Sequence, residues 1–181
     1  MRTILFFLSV AATIVLVPVA STAQGPTDIE AWRSAKWGMT EAEILEIFKG
    51  EARKLDKEVR FSSGTATVEI PDYSIDGTRY RVLFLFDVST KTLTKIQIQP
   101  KRETAASGAL NAVLYRRLEM LLTEKYGPPT SAHENKPRNG PAGFDDWVAW
   151  WSFPKTIISL HYFDGRLLLI YEPRSKEADK L

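Results

Sequence analysis

Hydrophobic positions follow two different periods along this chain, and the change between them divides it into elements. Residues 40–50 carry apolar side chains at helical spacing, whereas residues 66–99 alternate with a period of two, which is typical of β-strands. Asp76-Gly77 is a strong signal for a two-residue hairpin turn, so residues 66–87 are predicted to form two strands and residues 92–99 a third. The first half is therefore predicted to be one helix followed by three antiparallel strands.

The same order of elements returns in the second half. Helical spacing runs from about Ala105 to Tyr126, where Gly127-Pro128-Pro129 ends it, and a Pro-, Gly- and Asn-rich loop follows. Three strands come next, and the last two are joined by Asp164-Gly165. We predict an α+β fold in which two tandem helix-plus-three-strand halves, residues 35–100 and 101–172, share one antiparallel sheet with both helices on one face.

The stretch "WGMTEAEILEIF" (residues 37–48) is the nearest approach to a motif. Thr40 is a good N-cap and Glu43 follows three residues later, so the two are predicted to form a capping box. Gly50 supplies the left-handed residue that ends a helix, and Trp37 is expected to pack beneath the helix start. The stretch is thus interpreted as a well-made helix and not as a functional site.

The N-terminus has the pattern of a secretory signal peptide. Arg2 gives a positive start, residues 4–17 are apolar, and small residues precede a cleavage point after Ala23. An uncleaved anchor is the alternative, although the apolar run is shorter than the ~20 residues that span a bilayer. The predicted organisation is a signal peptide at 1–23, a mature N-terminal segment at 24–34, a domain at 35–172 and a polar tail at 173–181, in a periplasmic or secreted protein.

Composition supports a folded exported domain. With 181 residues and 44% hydrophobic residues, the chain is long and apolar enough to bury a core. It contains no cysteine, which excludes a disulfide framework and a thiol nucleophile. The formal net charge is only +2, so the chain has no basic field for nucleic acid. No membrane span is expected once the signal is cleaved.

Catalytic and metal-binding patterns are weak. The two histidines, His133 and His161, have no neighbour at metal-ligand spacing, and no serine elbow, P-loop or dinucleotide fingerprint occurs. Asp145 and Asp146 are adjacent in a strand and should point to opposite faces. We therefore predict a protein that is not an enzyme and that has no cofactor and no metal.

The hairpin registers predict which side chains lie beneath the helices. In the first half these are aliphatic: Val68, Ile70, Leu83, Leu85 and Ile96. The predicted register pairs Ile70 with Leu83 and Val68 with Leu85, and it places Ile96 beside Leu83. In the second half the corresponding residues are Trp147, Ala149, Trp151, Ile158, Leu160, Tyr162, Leu167, Leu169 and Tyr171. The opposite, open face combines aromatic and polar side chains, which suits a binding surface. Its predicted partner-binding residues are Tyr80, Phe84, Phe86, Trp150, His161 and Phe163, unless loops or a dimer mate cover that face.

The helix start at residues 37–48 and the helix-ending "KYGPP" at 125–129 resemble elements of the superfamily that holds the β-lactamase-inhibitor proteins and the small outer-membrane-assembly lipoproteins. Members of known function bind other proteins through the open face of their sheet. The resemblance implies an exported protein-binding or inhibitory module with a partner in the cell envelope. The alternative is a small-ligand carrier or hydrolase that uses the same concave face, with His161 and a nearby carboxylate as its acid-base pair.

Overall fold

A computed structural model describes residues 28–101, 108–135 and 146–175. The predicted signal peptide at 1–23, residues 176–181 of the polar tail, and Asp145 lie outside the described residues. In the described part, no helix has the length and hydrophobicity of a membrane span.

The described residues form one antiparallel sheet of eight strands with two helices. The helices are α1 (Glu41–Ile47) and α2 (Gly108–Tyr126). The strands are β1 (Arg53–Phe61), β2 (Gly64–Ile75), β3 (Thr78–Phe86), β4 (Leu93–Pro100), β5 (Ser131–Asn135), β6 (Asp146–Ser152), β7 (Thr156–Phe163) and β8 (Arg166–Pro173). Their order across the sheet is β1-β2-β3-β4-β8-β7-β6-β5, so β4 and β8 pair at the centre.

The predicted fold class, with two tandem helix-plus-three-strand halves, is wrong. The described residues form a single eight-stranded sheet, and the two strands that the prediction missed, β1 and β5, are its edges. An edge strand needs backbone hydrogen bonds to only one neighbour and is commonly charged, which blocks pairing with other chains. The β1 sequence RKLDKEVRF is almost wholly exposed, and β5 reads SAHEN. Neither shows the apolar alternation from which a half-buried strand is recognised.

The start of α1 confirms the predicted capping box. The Thr40 Oγ1 accepts from the Glu43 backbone N–H at 3.4 Å, and the Glu43 carboxylate accepts from the Thr40 backbone N–H at 2.7 Å. Trp37, just before the helix, donates its indole N–H to the Thr156 hydroxyl at 2.9 Å. The stretch at 37–48 thus positions the helix on the sheet.

Both helices pack on the same side of the sheet, where one continuous core forms. Residues 28–35 cross this side as well, and the buried Trp32 ring lies 5.8 Å from Phe48 and 6.2 Å from Phe84. Arg33 lies over the Trp32 and Phe48 rings and pairs with Glu51 at 2.7 Å. Part of the predicted mature N-terminal segment is therefore built into the domain.

The second helix is held against the β7–β8 turn. Asn111 donates to the Gly165 carbonyl at 2.7 Å, and the Tyr162 hydroxyl donates to the Gly108 carbonyl at 3.1 Å. A side chain at either glycine would meet the other at 3.2 Å. Close backbone approach therefore sets where α2 begins to cover the sheet.

Register shifts in β2 and β4 reverse the predicted orientation of β3. The Asp76-Gly77 turn is a two-residue loop as predicted, since Ile75 pairs with Thr78. Beyond an irregularity between Ile70 and Tyr73, however, Ile70 pairs with Val82 in place of Leu83. A β-bulge adds one residue to one strand and changes which residues face each other. The predicted partners of Val68 and Ile96 were also wrong, because both pair with Phe84.

Candidate functional site

The outer face is the side of the sheet that points away from both helices. Strand residues alternate between faces, so the outer face comprises the neighbours of the core residues in each strand. Its members include Arg53, Glu69, Arg81, Leu83, Leu85, Lys95, Gln97, Gln99, Val148, Trp150, Ser159, His161, Phe163, Leu168, Ile170 and Glu172. No described helix packs against them. This face is the candidate functional site.

Three of the six predicted partner-binding residues lie on the outer face. Trp150 and His161 have their rings 6.4 Å apart in an edge-to-face arrangement. Phe163 is 54% exposed and pairs with Asp146 across the β6–β7 ladder. These residues form the aromatic patch: Trp150, His161 and Phe163. The structure therefore brings together the three predicted partner-binding residues that belong to the second half of the chain.

The other three lie on the helix side, so their assignment to the open face is wrong. Tyr80, Phe84 and Phe86 are buried in the core, and Phe84 contacts Trp32 and Phe48. Burial raises the pKa of the Tyr80 hydroxyl to about 12. The reversal of β3 is the physical reason, since it moves its aromatic residues beneath α1 and its alternate residues to the outer face.

His161 is a half-buried group within the aromatic patch. Its Nε2 lies 2.9 Å from the Ser159 hydroxyl on the same strand. Burial lowers the pKa of His161, and the nearby Lys95 lowers it further, whereas Asp146 and Glu172 raise it. Its neighbours across the ladders are apolar, Val148 on β6 and Leu168 on β8. The imidazole thus keeps a polar tip on an otherwise apolar strip.

An ion pair crosses the central seam of the sheet. Lys95 on β4 lies 3.2 Å from Glu172 on β8, and its side chain is only partly exposed. Gln97, one position along on the same face of β4, donates to Gln99 at 3.3 Å. The seam between the two halves of the sheet is therefore polar, while the aromatic patch lies beyond it on β6 and β7.

A second charged group lies toward the β1 edge. Glu69 on β2 is buried, and its carboxylate accepts from Arg53 on β1 at 3.0 Å and from Arg81 on β3 at 2.5 Å. Together they form the arginine cluster: Arg53, Glu69 and Arg81. An open cleft of about 410 Å³, the arginine cleft, is lined by these residues with Gln99 and Lys101.

Sequence reasoning missed the arginine cluster. Arg53 belongs to the charged stretch before the first predicted strand, and Arg81 was turned to the wrong side with the rest of β3. One signal was present, because Glu69 is a lone carboxylate between Val68 and Ile70. A charge within an apolar strand needs a partner.

Aliphatic residues form the outer face of β3 beyond Arg81. Leu83 and Leu85 are buried there with Ala66, and Leu55 from β1 packs against them. They form a small second cluster of their own on the outer side of the sheet. The predicted place of Leu83 and Leu85 beneath α1 was therefore wrong.

Other kinds of site find little support. Among residues 28–101, 108–135 and 146–175, no three His, Asp or Glu side chains are grouped to hold a metal ion. No protein-family profile matches the sequence, and no curated protein or solved structure is significantly similar to it. The chemistry of the outer face is thus the basis for any assignment of function.

Proposed function

We propose that this chain is an exported protein-binding module that contacts a protein of the cell envelope through the aromatic patch on its outer face. The observation that carries the proposal is that Trp150, His161 and Phe163 share one face of β6 and β7, opposite the helices. Export follows from the signal-like pattern at residues 1–23. The resemblance to the superfamily of β-lactamase-inhibitor proteins and assembly lipoproteins supports the same use of the sheet.

The chemistry of the aromatic patch suits protein contact. Aromatic side chains are enriched at the centres of protein interfaces because they bury a large area with few rotatable bonds. Phe163 exposes an apolar ring, while Trp150 and His161 combine rings with polar tips. Lys95 and Glu172, on β4 and β8, lie near enough for their charges to act on His161, and they give the patch a polar border on that side. An apolar centre with a polar rim is the usual anatomy of such an interface.

The alternative use as a hydrolase is less well supported by the geometry. The Ser159 hydroxyl is within hydrogen-bond distance of His161, but Ser159 is 3% exposed. A nucleophile must reach its substrate, so this geometry favours a positioning role for Ser159. The nearby carboxylates, Asp146 and Glu172, act on the pKa of His161 through their charge.

Site-specific photocrosslinking tests the proposal. Phe163 would be replaced by p-benzoylphenylalanine in the full chain, and the producing cells would be irradiated intact. We expect one discrete crosslinked product of higher mass, identified by mass spectrometry. Trp150→Ala should strongly reduce it, because truncation of an interface hot spot costs about 2 kcal/mol or more of binding.

The matched control places the same crosslinker at Val113, which is 65% exposed on α2 and lies on the helix side. Products of equal yield from both positions would show non-specific capture and contradict the proposal. A product with the mass of two copies of the chain would also contradict it, because the partner would then be a homodimer mate. His161→Ala should weaken the crosslink while leaving the far-UV circular dichroism unchanged.

A further inference from the structure

The arginine cluster holds two guanidinium groups in fixed positions. The Glu69 side chain is only 5% exposed, and a buried carboxylate is stable only when it is well paired. Its Oε1 lies 3.0 Å from Arg53 Nε and 2.9 Å from Arg53 Nη2, while its Oε2 accepts from Arg81 Nε. Since the three residues lie on adjacent strands, the sheet backbone fixes their spacing.

Glu69 uses only part of the donor capacity of the two arginines. A guanidinium group carries five N–H donors in a planar fork. Arg81 directs only Nε at Glu69, and among the described residues its two terminal nitrogens make no hydrogen bond. The Arg53 side chain is 63% exposed, and its Nη1 makes no hydrogen bond to any described residue. Donors therefore remain for a ligand in the arginine cleft.

The charge of the arginine cleft favours an anion of low charge. Three cationic side chains, Arg53, Arg81 and Lys101, line it together with one carboxylate, Glu69. Lys101 is only loosely engaged, since its Nζ lies 3.8 Å from Asp72. Positive charge is thus in excess, while the fixed carboxylate of Glu69 opposes a doubly charged anion more than a singly charged one.

We propose that the arginine cleft binds a carboxylate group. A planar guanidinium fork matches a carboxylate through two parallel hydrogen bonds, and a lysine nearby adds charge without a geometric demand. The carboxylate comes either from the acidic side chain or chain end of a polypeptide, or from a small organic acid. This site lies apart from the aromatic patch, so the inference does not depend on the proposed function.

Arginine side-chain NMR tests the inference on the purified, signal-free chain. The Nε–H resonances of Arg53 and Arg81 would be followed at constant ionic strength during titration with acetate, with N-acetyl-triglycine and with the amide of that peptide. We expect saturable shifts of both resonances with the two carboxylates and none with the amide. Tighter binding of the peptide than of acetate assigns a polypeptide source. Equal binding assigns a small acid, and both results support carboxylate chemistry.

Variants separate the forked geometry from charge alone. Arg81→Lys keeps the charge but removes the fork, and it should weaken binding by about ten-fold or more, as expected for a charge-assisted hydrogen bond. Lys101→Gln leaves the Glu69 contacts intact and should weaken binding about three-fold, the effect of a modest charge interaction. Arg117→Gln is the control, because this exposed arginine pairs with Asp76 outside the cleft.

Two results would overturn the inference. Shifts that rise linearly without saturation, or that Arg81→Lys and Lys101→Gln both leave unchanged, would show only a general salt effect. Inorganic phosphate that binds ten-fold more tightly than either carboxylate would show a phosphate site. If Arg81→Lys disturbs folding by releasing Glu69, the Lys101→Gln result decides, because Lys101 does not contact Glu69.

Discussion

Two adjacent tryptophans on β6 should respond oppositely to the same substitution, because they lie on opposite faces of the sheet. Trp151 is 1% exposed in the core, and its indole N–H donates to the Gly127 carbonyl at 2.8 Å. Gly127 adopts a positive φ of 84° just after α2, so this bond ties the end of the helix to the sheet. Trp150 is half-buried on the outer face and contacts His161.

The expected losses of folding free energy follow from these two environments. Trp151→Ala removes a large buried side chain, at a cost of about 3–5 kcal/mol. It also leaves the Gly127 carbonyl without its donor, which adds about 1 kcal/mol. Trp150→Ala removes a side chain that is only about half buried, so a loss of about 1 kcal/mol of stability is expected. The total for Trp151 is comparable with the whole stability of a typical domain, which is about 5–15 kcal/mol.

Urea unfolding followed by far-UV circular dichroism measures both free energies without relying on tryptophan emission. Trp151→Phe keeps much of the buried area but loses the N–H, and its cost should lie between those of the two alanine variants. It keeps the comparison measurable if Trp151→Ala has no folded state. A Trp150→Ala loss equal to or greater than that of Trp151→Phe would refute the assignment of faces on β6.

Two further predictions concern the outer face and the helix contact. Burial lowers the pKa of His161, so its neutral form stabilises the fold above a pH of about 6.5, and this stability is lost as the pH falls through the lowered pKa. The midpoint of urea unfolding should therefore fall less between pH 7.5 and 5.5 in His161→Asn than in the wild type. His133→Asn serves as the control. Gly165→Ala and Gly77→Ala both force alanine into a positive φ, at a cost of about 1 kcal/mol each. Only Gly165 abuts Gly108, so Gly165→Ala should lower the melting temperature more than Gly77→Ala. Equal losses would contradict this reasoning, because they would mean that the β7–β8 turn moves away from Gly108 at no cost.

The second half could be predicted well because its register is uninterrupted. From Asp164-Gly165 onward, every pair between Phe163–Arg166 and Thr156–Pro173 keeps the same alternation, so one turn fixes the face of two strands. The side chains of this hairpin also differ clearly between faces, with Leu160 and Tyr162 on one side and Ser159 and His161 on the other. Pattern and turn chemistry agreed there, and Trp150, His161 and Phe163 were placed correctly on the face away from the helices.

The edge strands could not be recognised in the same way. β1 carries charged residues on both faces and pairs with β2 only near its ends, at residues 53–54 and 59–61. Its strand conformation depends on backbone hydrogen bonds to β2, which leave no apolar period in the sequence. In the described part of the chain, β5 pairs only with β6, and it lies within residues that were predicted to be a loop. Both strands depend on tertiary pairing and not on their own sequence pattern.

The orientation of β3 shows why a neighbouring turn does not by itself predict which side of a strand faces the core when both of its faces are apolar. The sequence YRVLFLF offers aromatic residues to one face and Leu83 and Leu85 to the other, so hydrophobicity alone does not decide between them. Register irregularities in β2, near Pro71, and in β4, between the partners of Leu85 and Phe86, flank it on both sides. Proline lacks a backbone donor and within sheets is confined to edges, strand starts and bulges, so Pro71 was the available signal.

The same bulges decide the chemistry of the outer face. Glu69 lies between Val68 and Ile70, and Gln97 lies between Ile96 and Ile98, so both point away from the core, whereas β3 between them is reversed. Without the extra residue in β2, β3 would place Phe84 opposite Glu69, with Val82 and Phe86 on either side, and none of these offers a cation to a buried carboxylate. With it, Arg81 reaches Glu69 and the aromatic rings pack on Trp32 and Phe48. Burial of the carboxylate and completion of the core therefore favour the same register.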